Sequence, residues 1–231
     1  MAKISIIIPI YNEERLVKKT LEEIFALNLD KEIIVIDDAS SDGTTDKLKD
    51  LQSRFPFKLI VLPKNQGKGN AIREGLKAAG GFWSVVFDAD LEYQPEDILR
   101  LLEKAEKYKD KKTAVYGSRF LSEYKNKFSI HYLANLFLTL LANFLFGLNL
   151  TDMETCLKLC PTGVLKNLDL KARRFEFEPE ITAKLAKQKI RIIEIPVKYH
   201  RRNYKQGKKI RFKDGLIAIK ILLKERFIGE G

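Results

Sequence analysis

The sequence predicts an α/β protein built on a mostly parallel sheet, and two features of the chain carry that prediction. Short apolar runs that fit buried strands alternate with helical patterns over roughly residues 1–120, a rhythm typical of right-handed βαβ units. Three of these runs end in polar or acidic residues, as expected where parallel strands deliver their carboxyl ends to one edge of a sheet. The 231 residues, 45% hydrophobic and 32% charged, suit one globular domain with a sizeable core.

The predicted elements follow in regular order along the first half of the chain. Strands are expected at residues 4–8, 32–36, 58–62, the run that begins at 83, and 113–116, and helices at 14–27, after 43, at 71–79 and at 96–108. Beyond residue 120 come a long apolar segment, a helix near 178–188, a strand at 191–197 and a basic, amphipathic end. We therefore expect a single domain, residues 1–231, whose halves 1–120 and 121–231 differ in organisation.

The most informative stretch is the apolar run from Trp83 that ends in Asp88-Ala89-Asp90. Strand side chains alternate between faces, but the pleat relaxes at a strand end, so the two carboxylates can converge on one point at the sheet edge. Oxygen ligands in such a place suit Mg²⁺ or Mn²⁺ that also holds phosphates. The alternative, a strand end whose carboxylates are only solvated, stays open at this point.

Polar side chains also follow the first two strands, as Tyr11 and Glu13 and as Asp37 and Asp38. If the strands are neighbours, these acids line one crevice that would repel a diphosphate unless a metal neutralised it. An unpaired carboxylate there could instead accept hydrogen bonds from a nucleobase or a ribose. The glycine-bearing turn 65–69 before a helix either cradles phosphate or is only a tight turn.

Charge and cysteine content narrow the function classes. Forty-two Lys and Arg against 31 Asp and Glu leave a net charge of +11, which favours a phosphorylated substrate, an anionic membrane or nucleic acid, or else is a solvated lysine-rich surface. The interleaved aromatic and basic residues of a single-strand platform are missing, so we expect no nucleic-acid partner. Cys156 and Cys160, if both lie on a helix, are expected to be buried, reduced thiols. The strand-like start without a signal peptide predicts a cytoplasmic location.

Several motifs occur in a fixed order along the chain. The first half contains Pro9-Ile10-Tyr11-Asn12-Glu13, Val35-Ile36-Asp37-Asp38-Ala39-Ser40-Ser41-Asp42-Gly43-Thr44, Asn65-x-Gly67-x-Gly69 and Asp88-Ala89-Asp90. Together they resemble the N-terminal half of the family 2 inverting glycosyltransferases, which have the GT-A fold. The second half contains Tyr116-Gly117-Ser118-Arg119-Phe120, Thr151 to Lys158, Phe177-Glu178-Pro179-Glu180 and His200-x-Arg202-x-Tyr204-x-x-Gly207-Lys208-Lys209. These resemble the branch that glycosylates polyprenyl phosphates, to which dolichyl-phosphate mannose and glucose synthases belong.

The resemblance implies a role for each matching residue. Nucleoside and sugar diphosphate would be held by Pro9, Tyr11, Glu13, Asp38, Lys68, Asp88, Arg202 and Lys208 or Lys209. Asp88, Asp90 and Glu92 would bind Mg²⁺ or Mn²⁺, and Asp90, Arg119 and Asp152 would be catalytic. The implied reaction is a metal-dependent, inverting transfer of a sugar from UDP-glucose or GDP-mannose to dolichyl or undecaprenyl phosphate, at the cytoplasmic face of the membrane.

Asp152 has two alternative roles. In relatives with sugar hydroxyl acceptors, an acid in this region is the catalytic base, whereas a phosphate monoester is already anionic and needs no strong base. With a phosphate acceptor, Asp152 and Glu154 would orient Lys158 or the sugar. The family also places a further arginine after Arg119, and here Lys125, Lys127 or His131 would have to replace it.

Residues 132–150 are 19 uncharged residues, close to the roughly 20 that a spanning helix needs. A polar or small residue recurs at every fourth position, at His131, Asn135, Thr139, Asn143 and Gly147. This stripe leaves two alternatives, a buried core helix or a helix lying in the membrane surface. The five Lys and Arg of 205–213 and the amphipathic segment 215–227 favour peripheral membrane association, although that segment also fits an ordinary packed helix.

Two rival functions come from different classes. One is a family 2 transferase with a saccharide or protein acceptor, for which Asp152 would be a true base. The other is a non-enzymatic basic module that binds membrane or nucleic acid. The sequence is silent about the oligomeric state and does not distinguish glucose from mannose.

Overall fold

The computed structural model describes residues 3–108, 112–122, 130–201 and 212–228, and within them one sheet runs in the order β3-β2-β1-β4-β6-β5-β7. The strands are β1 Ile4–Ile10, β2 Lys31–Asp37, β3 Lys58–Val61, β4 Trp83–Val86, β5 Thr113–Ser118, β6 Lys158–Pro161 and β7 Arg191–Pro196. The helices are α1 Val17–Ala26, α2 Thr44–Leu51, α3 Lys68–Ala78, α4 Glu96–Glu106, α5 Ile130–Phe146, α6 Thr162–Lys166, α7 Phe177–Lys187 and α8 Phe212–Phe227.

The central strands form the parallel part of the sheet. β1 lies between β2 and β4, with Ile7 opposite both Ile34 and Val86. Its side chains are almost all buried on both faces, which explains why its sequence is a continuous apolar run rather than an alternating one. The predicted α/β architecture with a mostly parallel sheet is confirmed.

Strand β6 is the main element that the sequence did not predict. It pairs antiparallel with both β4 and β5. Cys160 lies on this strand, so the two cysteines do not share a helix, although both are buried and free as expected. Only four residues long and containing Lys158, β6 has too little apolar periodicity to be recognised in isolation.

Helices α5, α7 and α8 pack against one another. Leu138, Thr139, Ala142 and Leu145 form the buried face of α5. The opposite face, here called the apolar stripe, consists of exposed residues spaced three and four apart, Ile130, Leu133, Phe137, Leu140 and Phe144. The helix is therefore not the wholly buried core helix of the first alternative. In the ranges described, no helix has the length and apolar character needed to cross a membrane.

Candidate active site

The loops that carry the predicted site residues meet at one edge of the sheet. The parallel pairing of β1 with β2 and β4, and of β5 with β7, brings their carboxyl ends together within each group. Because β6 is antiparallel, Lys158 at its beginning lies opposite Tyr116 near the end of β5. The segment 151–157 therefore reaches the same edge as the loop after β4.

The loops after β1 and β2 are joined by hydrogen bonds. The Asn12 N–H donates to Ser40 Oγ at 2.9 Å, and the Ser41 N–H donates to Asn12 Oδ1 at 2.8 Å. The Glu13 N–H donates to Thr44 Oγ1 at 3.0 Å. These bonds hold the loops after β1 and β2 side by side at the carboxyl edge of the sheet.

Asp38 anchors the glycine turn 65–69 to the end of β2. Its carboxylate is 2% exposed and accepts the Gln66 N–H at 2.8 Å and the Gly67 N–H at 2.7 Å. Burial raises the pKa of Asp38, and the two N–H donors partly oppose that rise. Pro9, Tyr11 and Glu13 are half-buried, and the nucleoside contacts expected of them stay a prediction.

The glycine turn 65–69 before α3 is a tight turn that packs against residues 173 and 174. Gly67 has a φ of +93°, and a Cβ there would lie 2.4 Å from the Arg173 carbonyl oxygen, so only glycine fits. The first N–H groups of the helix are already used, since Gly69 and Asn70 donate to the carbonyls of Arg174 and Arg173. A phosphate cradled by this turn would have to displace those bonds, which favours the tight-turn alternative.

Asp88 and Asp90 follow β4 with both side chains partly accessible and Ala89 buried between them. Lys68 Nζ lies 2.7 Å from Asp88 Oδ2 and 3.1 Å from Glu178 Oε1. Burial lowers the pKa of Lys68, but the charges around it, Asp88 first, outweigh that effect and raise the pKa well above its usual value. Lys68 thus links the acidic pair to the beginning of α7.

Glu92 is held by the segment that follows β7. Tyr199 Oη donates to Glu92 Oε2 at 2.6 Å, and the His200 N–H donates to the Glu92 carbonyl at 2.8 Å. Across the described ranges, no three His, Cys, Asp or Glu side chains gather closely enough to hold a metal. Joint binding of a metal by Asp88, Asp90 and Glu92 therefore stays a prediction. Asp88 and Asp90 retain suitable donor chemistry, because Mg²⁺ is commonly held by one or two carboxylates together with substrate phosphates.

Arg119 and Asp152 form a buried, two-pronged ion pair. Arg119 Nε lies 2.7 Å from Asp152 Oδ2 and Nη2 lies 2.7 Å from Oδ1, while the Arg119 N–H donates to Oδ2 at 2.9 Å. Burial lowers the pKa of Arg119, but the Asp152 carboxylate outweighs burial and holds it well above its usual range. Both carboxylate oxygens are thus committed to Arg119, which disfavours Asp152 as a base that takes a proton from an acceptor hydroxyl.

Aromatic rings enclose the Arg119 guanidinium. Its central carbon lies 5.2 Å from the Tyr199 ring centroid and 5.7 Å from that of Phe120, within the range of cation–π attraction. Because Tyr199 also bonds Glu92, this ring joins Arg119 to the loop of the acidic pair.

Two further charged residues lie in this region: Glu178, to which sequence reasoning assigns no role, and Glu154, which it expects to orient Lys158 or the sugar. Glu178, 6% exposed, lies in the first turn of α7 and pairs with Lys68. Glu154 is half-buried, but its Oε1 is buried without a hydrogen-bond partner. Burial, with the Glu178 charge adding to it, raises the pKa of Glu154 to about 7. Each lies in a motif of the second half, but spacing alone did not indicate its partners.

Other predicted residues fall outside the described part of the chain. These are Arg202, Lys208, Lys209, Lys125 and Lys127, together with most of the basic segment 205–213. Their predicted contacts with phosphates stay predictions.

Residues 5–168 match the model of glycosyl transferase family 2. A UDP-N-acetylglucosamine–dolichyl-phosphate N-acetylglucosaminyltransferase of Methanococcus voltae is 33% identical over 215 residues, which are 84% of each chain. A dolichol-phosphate mannosyltransferase of Pyrococcus furiosus is 39% identical over 125 residues, 52% of this chain and 34% of that one.

The fold is similar to that of a solved glycosyltransferase. Glucosyl-3-phosphoglycerate synthase from Mycobacterium tuberculosis, crystallised with Mn²⁺, UDP and glucosyl-3-phosphoglycerate, superposes with a TM-score of 0.71. The two are 18% identical, and the match covers 100% of this chain and 82% of that one. The family match over most of the chain and the GT-A-like sheet agree with the motifs at the strand ends, and this chain is a glycosyltransferase that belongs to family 2.

Proposed function

We propose that this glycosyltransferase moves a sugar from a nucleoside diphosphate sugar to a polyprenyl phosphate at a membrane surface, with inversion and with a divalent metal. The main observation that supports a polyprenyl phosphate acceptor is the apolar stripe. Its five large side chains, on one side of α5, are 53–85% exposed. The two relatives described above are named for dolichyl or dolichol phosphate, which supports the same acceptor class.

The apolar stripe suits a lipid surface. Helix α5 contains no Asp, Glu, Lys or Arg. Fully burying one large apolar side chain of the stripe contributes about 1.5–3 kcal/mol. Neighbouring α8 adds the exposed side chains Leu216, Ile217, Leu223 and Phe227, with Lys220, Lys224 and Arg226 among them. Apolar side chains beside cations suit an anionic leaflet, to which each basic residue adds on the order of 1 kcal/mol.

The stripe is connected to the proposed site through the end of α5. Asn143 Nδ2 donates to the Leu150 carbonyl at 2.8 Å, and the Met153 N–H donates to Thr139 Oγ1 at 3.1 Å. The helix thus fixes the loop that contains Asp152, the partner of Arg119. A lipid phosphate delivered at the membrane surface would approach this loop.

The ion pair supports a phosphate acceptor. A phosphate monoester oxygen is already anionic, so it attacks the anomeric carbon without a base. The new C–O bond forms on the face opposite the departing nucleoside diphosphate, which leaves with the electron pair of the broken bond. Arg119, held rigid by Asp152, would stabilise the phosphates, and Lys68 would lie beside them. A bound Mg²⁺ or Mn²⁺ at Asp88 and Asp90 would supply charge neutralisation of the diphosphate.

We propose UDP-glucose or GDP-mannose as the donor, with the nucleoside lying against Pro9, Tyr11 and Glu13. Residues 1–120 form the donor half and residues 121–231 the acceptor half of a single domain. The enzyme is cytoplasmic and associates peripherally with the membrane.

Transfer of labelled sugar into an organic-extractable product tests this function. Purified protein is given a polyprenyl phosphate, Mg²⁺ or Mn²⁺, and labelled UDP-glucose, GDP-mannose or UDP-N-acetylglucosamine. We expect label in the lipid phase that requires metal and is lost in Asp90→Asn. Asp46→Asn, at an exposed position of α2, is the matched control and should retain activity.

Two other outcomes would contradict the proposal. Metal-dependent nucleotide release with a saccharide or protein acceptor, and no lipid product, would identify a different acceptor class. Lipid labelling that is unchanged in Asp90→Asn would show that the acidic pair does not serve the reaction.

A further inference from the structure

Glu154 lies at the edge of the sheet where the charged residues of the proposed site meet. It belongs to the segment that enters β6, and β6 lies between β4 and β5. Val85 of β4 and Val115 of β5 both face Leu159. The four residues before β6 therefore pass between the loop of Asp88 and the loop of Arg119.

The charged groups that act on Glu154 are Glu178, Lys158, Arg119 and Asp152. All four already have partners within the protein. Glu178 pairs with Lys68, and Arg119 pairs with Asp152. Lys158 Nζ donates to the Met153 carbonyl at 2.8 Å and to the Thr155 carbonyl.

Glu154 contrasts with these neighbours because its Oε1 is buried and accepts no hydrogen bond. Leaving a buried polar atom unpaired is costly, and unpaired atoms of this kind in folded proteins call for an explanation. Lys158, the nearest cation in the sequence, is turned towards backbone carbonyls and the Tyr116 ring, 4.8 Å away. A hydrogen-bond donor supplied by a ligand would satisfy Glu154.

We infer that Glu154 binds the sugar of the donor, accepting a hydrogen bond from a pyranose hydroxyl or an acetamido N–H. This inference rests on the proposed function. Lys68 pairs with both Asp88 and Glu178, and the Glu178 charge acts on Glu154. Glu154 therefore lies beyond Glu178 as seen from the site proposed for the diphosphate. In a nucleoside diphosphate sugar the diphosphate joins the nucleoside to the sugar, and with the nucleoside proposed beside the loop after β1, the sugar would extend past β4 towards the segment before β6. A carboxylate repels phosphate but pairs well with neutral hydroxyl donors.

Calorimetric titration with and without the sugar tests the inference. Wild type, Glu154→Ala and Glu154→Gln are titrated with UDP, UDP-glucose, UDP-N-acetylglucosamine, GDP and GDP-mannose in the presence of Mg²⁺. We expect Glu154→Ala to lower the affinity for the sugar nucleotide that wild type binds by about tenfold, as for loss of one hydrogen bond to a charged group. The matching bare nucleotide should bind within about twofold of wild type. Glu154→Gln keeps the shape and one acceptor oxygen, so its loss should be smaller.

Thermal unfolding of the ligand-free proteins separates binding from a structural role. Because the substitutions remove an unpaired buried oxygen, we expect melting temperatures equal to or above that of wild type. Glu103→Gln, at an exposed position of α4, is the control and should leave affinities and melting temperature unchanged.

Several results would overturn the inference. An equal loss of affinity for the sugar nucleotide and for the bare nucleotide would show that Glu154 contacts the nucleotide or has only a structural role. Unchanged affinity for the sugar nucleotide, or a clear fall in melting temperature in both variants, would exclude a sugar contact. If wild type binds no nucleotide at all, the proposed function fails first and this inference fails with it.

Discussion

Among single residues, Asp152 illustrates how a motif can be recognised while the partner of its side chain stays unknown. The sequence leaves it either a base or an orienting group, because a motif shows the residue type but not its partner. The structure places Asp152 at 0% exposure with both oxygens on Arg119. A fully buried carboxylate that balances a buried guanidinium holds that guanidinium in place, and we therefore expect Asp152 to position Arg119.

Replacing Asp152 by Asn should strongly destabilise the protein. The change leaves the Arg119 charge buried without its carboxylate, and breaking a buried pair in this way costs about 3–5 kcal/mol. Urea denaturation measures the free energy of unfolding. Glu103→Gln breaks an exposed pair with Lys107 and should change that free energy by less than about 1 kcal/mol.

The combination of stability and activity tells the two roles of Asp152 apart. A variant as stable as wild type that has lost transfer would support a catalytic base and contradict the positioning role.

The position of Asp88 and Asp90 at a strand end could be predicted from the sequence, whereas the contacts between distant residues around them could not. Asp88 and Asp90 directly follow an apolar run, so local pattern alone located them at a strand end. The bond that Tyr199 makes to Glu92 joins residues 107 positions apart. Neither periodicity nor spacing contains information about such a distant partner.

Among the elements, α5 shows what a polar stripe means. The four-residue repeat in the sequence indicated one polar side, and the structure shows that part of this side faces the protein. Thr139 accepts the Met153 N–H, and Asn143 both donates to and accepts from Leu150. The polar residues fix the following loop and thereby leave the apolar stripe on the outside.

Gly147 ends α5 in a left-handed conformation, with a φ of +65° and nothing within 4 Å of a Cβ placed there. Replacing it by Ala should lower the free energy of unfolding by about 1–2 kcal/mol, because only the backbone is strained. Gly163 is a matched control, since a Cβ there also meets nothing and its φ lies outside the left-handed region.

Gly163→Ala should be neutral or stabilising by up to about 1 kcal/mol. Denaturant unfolding of the two alanine variants measures the difference between them. Equal effects would show that the ending of α5 does not depend on the left-handed residue.

For the whole molecule, the proposed membrane association depends on the apolar stripe. Phe137→Ser combined with Phe144→Ser removes two side chains that are 56% and 85% exposed. We expect at least about a tenfold loss of binding to anionic phospholipid vesicles, since each buried aromatic side chain contributes about 1.5–3 kcal/mol. Vesicle sedimentation measures the binding.

Phe82→Ser is the control for this experiment. Phe82 is 47% exposed and precedes β4, at the opposite end of the strand from Asp88. It should leave vesicle binding unchanged, and the melting temperature of the double variant should match that of wild type because both substituted side chains are exposed. If the double variant binds vesicles as well as wild type does, the apolar stripe does not contact the membrane.

The sequence alone determined the alternation of strands and helices, the acids at strand ends and the membership of the glycosyltransferase family. These features are local, because periodicity, turn residues and short motifs are properties of neighbouring positions in the chain. The sequence expected Cys156 and Cys160 to be buried, reduced thiols if they shared a helix, and both are buried and free although Cys160 lies on β6.

Only the tertiary structure decided how distant residues combine. It inserted β6 antiparallel between β4 and β5, and it paired Arg119 with Asp152 and Lys68 with Glu178. It also left Glu154 without a partner for one oxygen and turned the apolar stripe outward. Each of these depends on the packing of segments far apart in the chain, which no local pattern specifies.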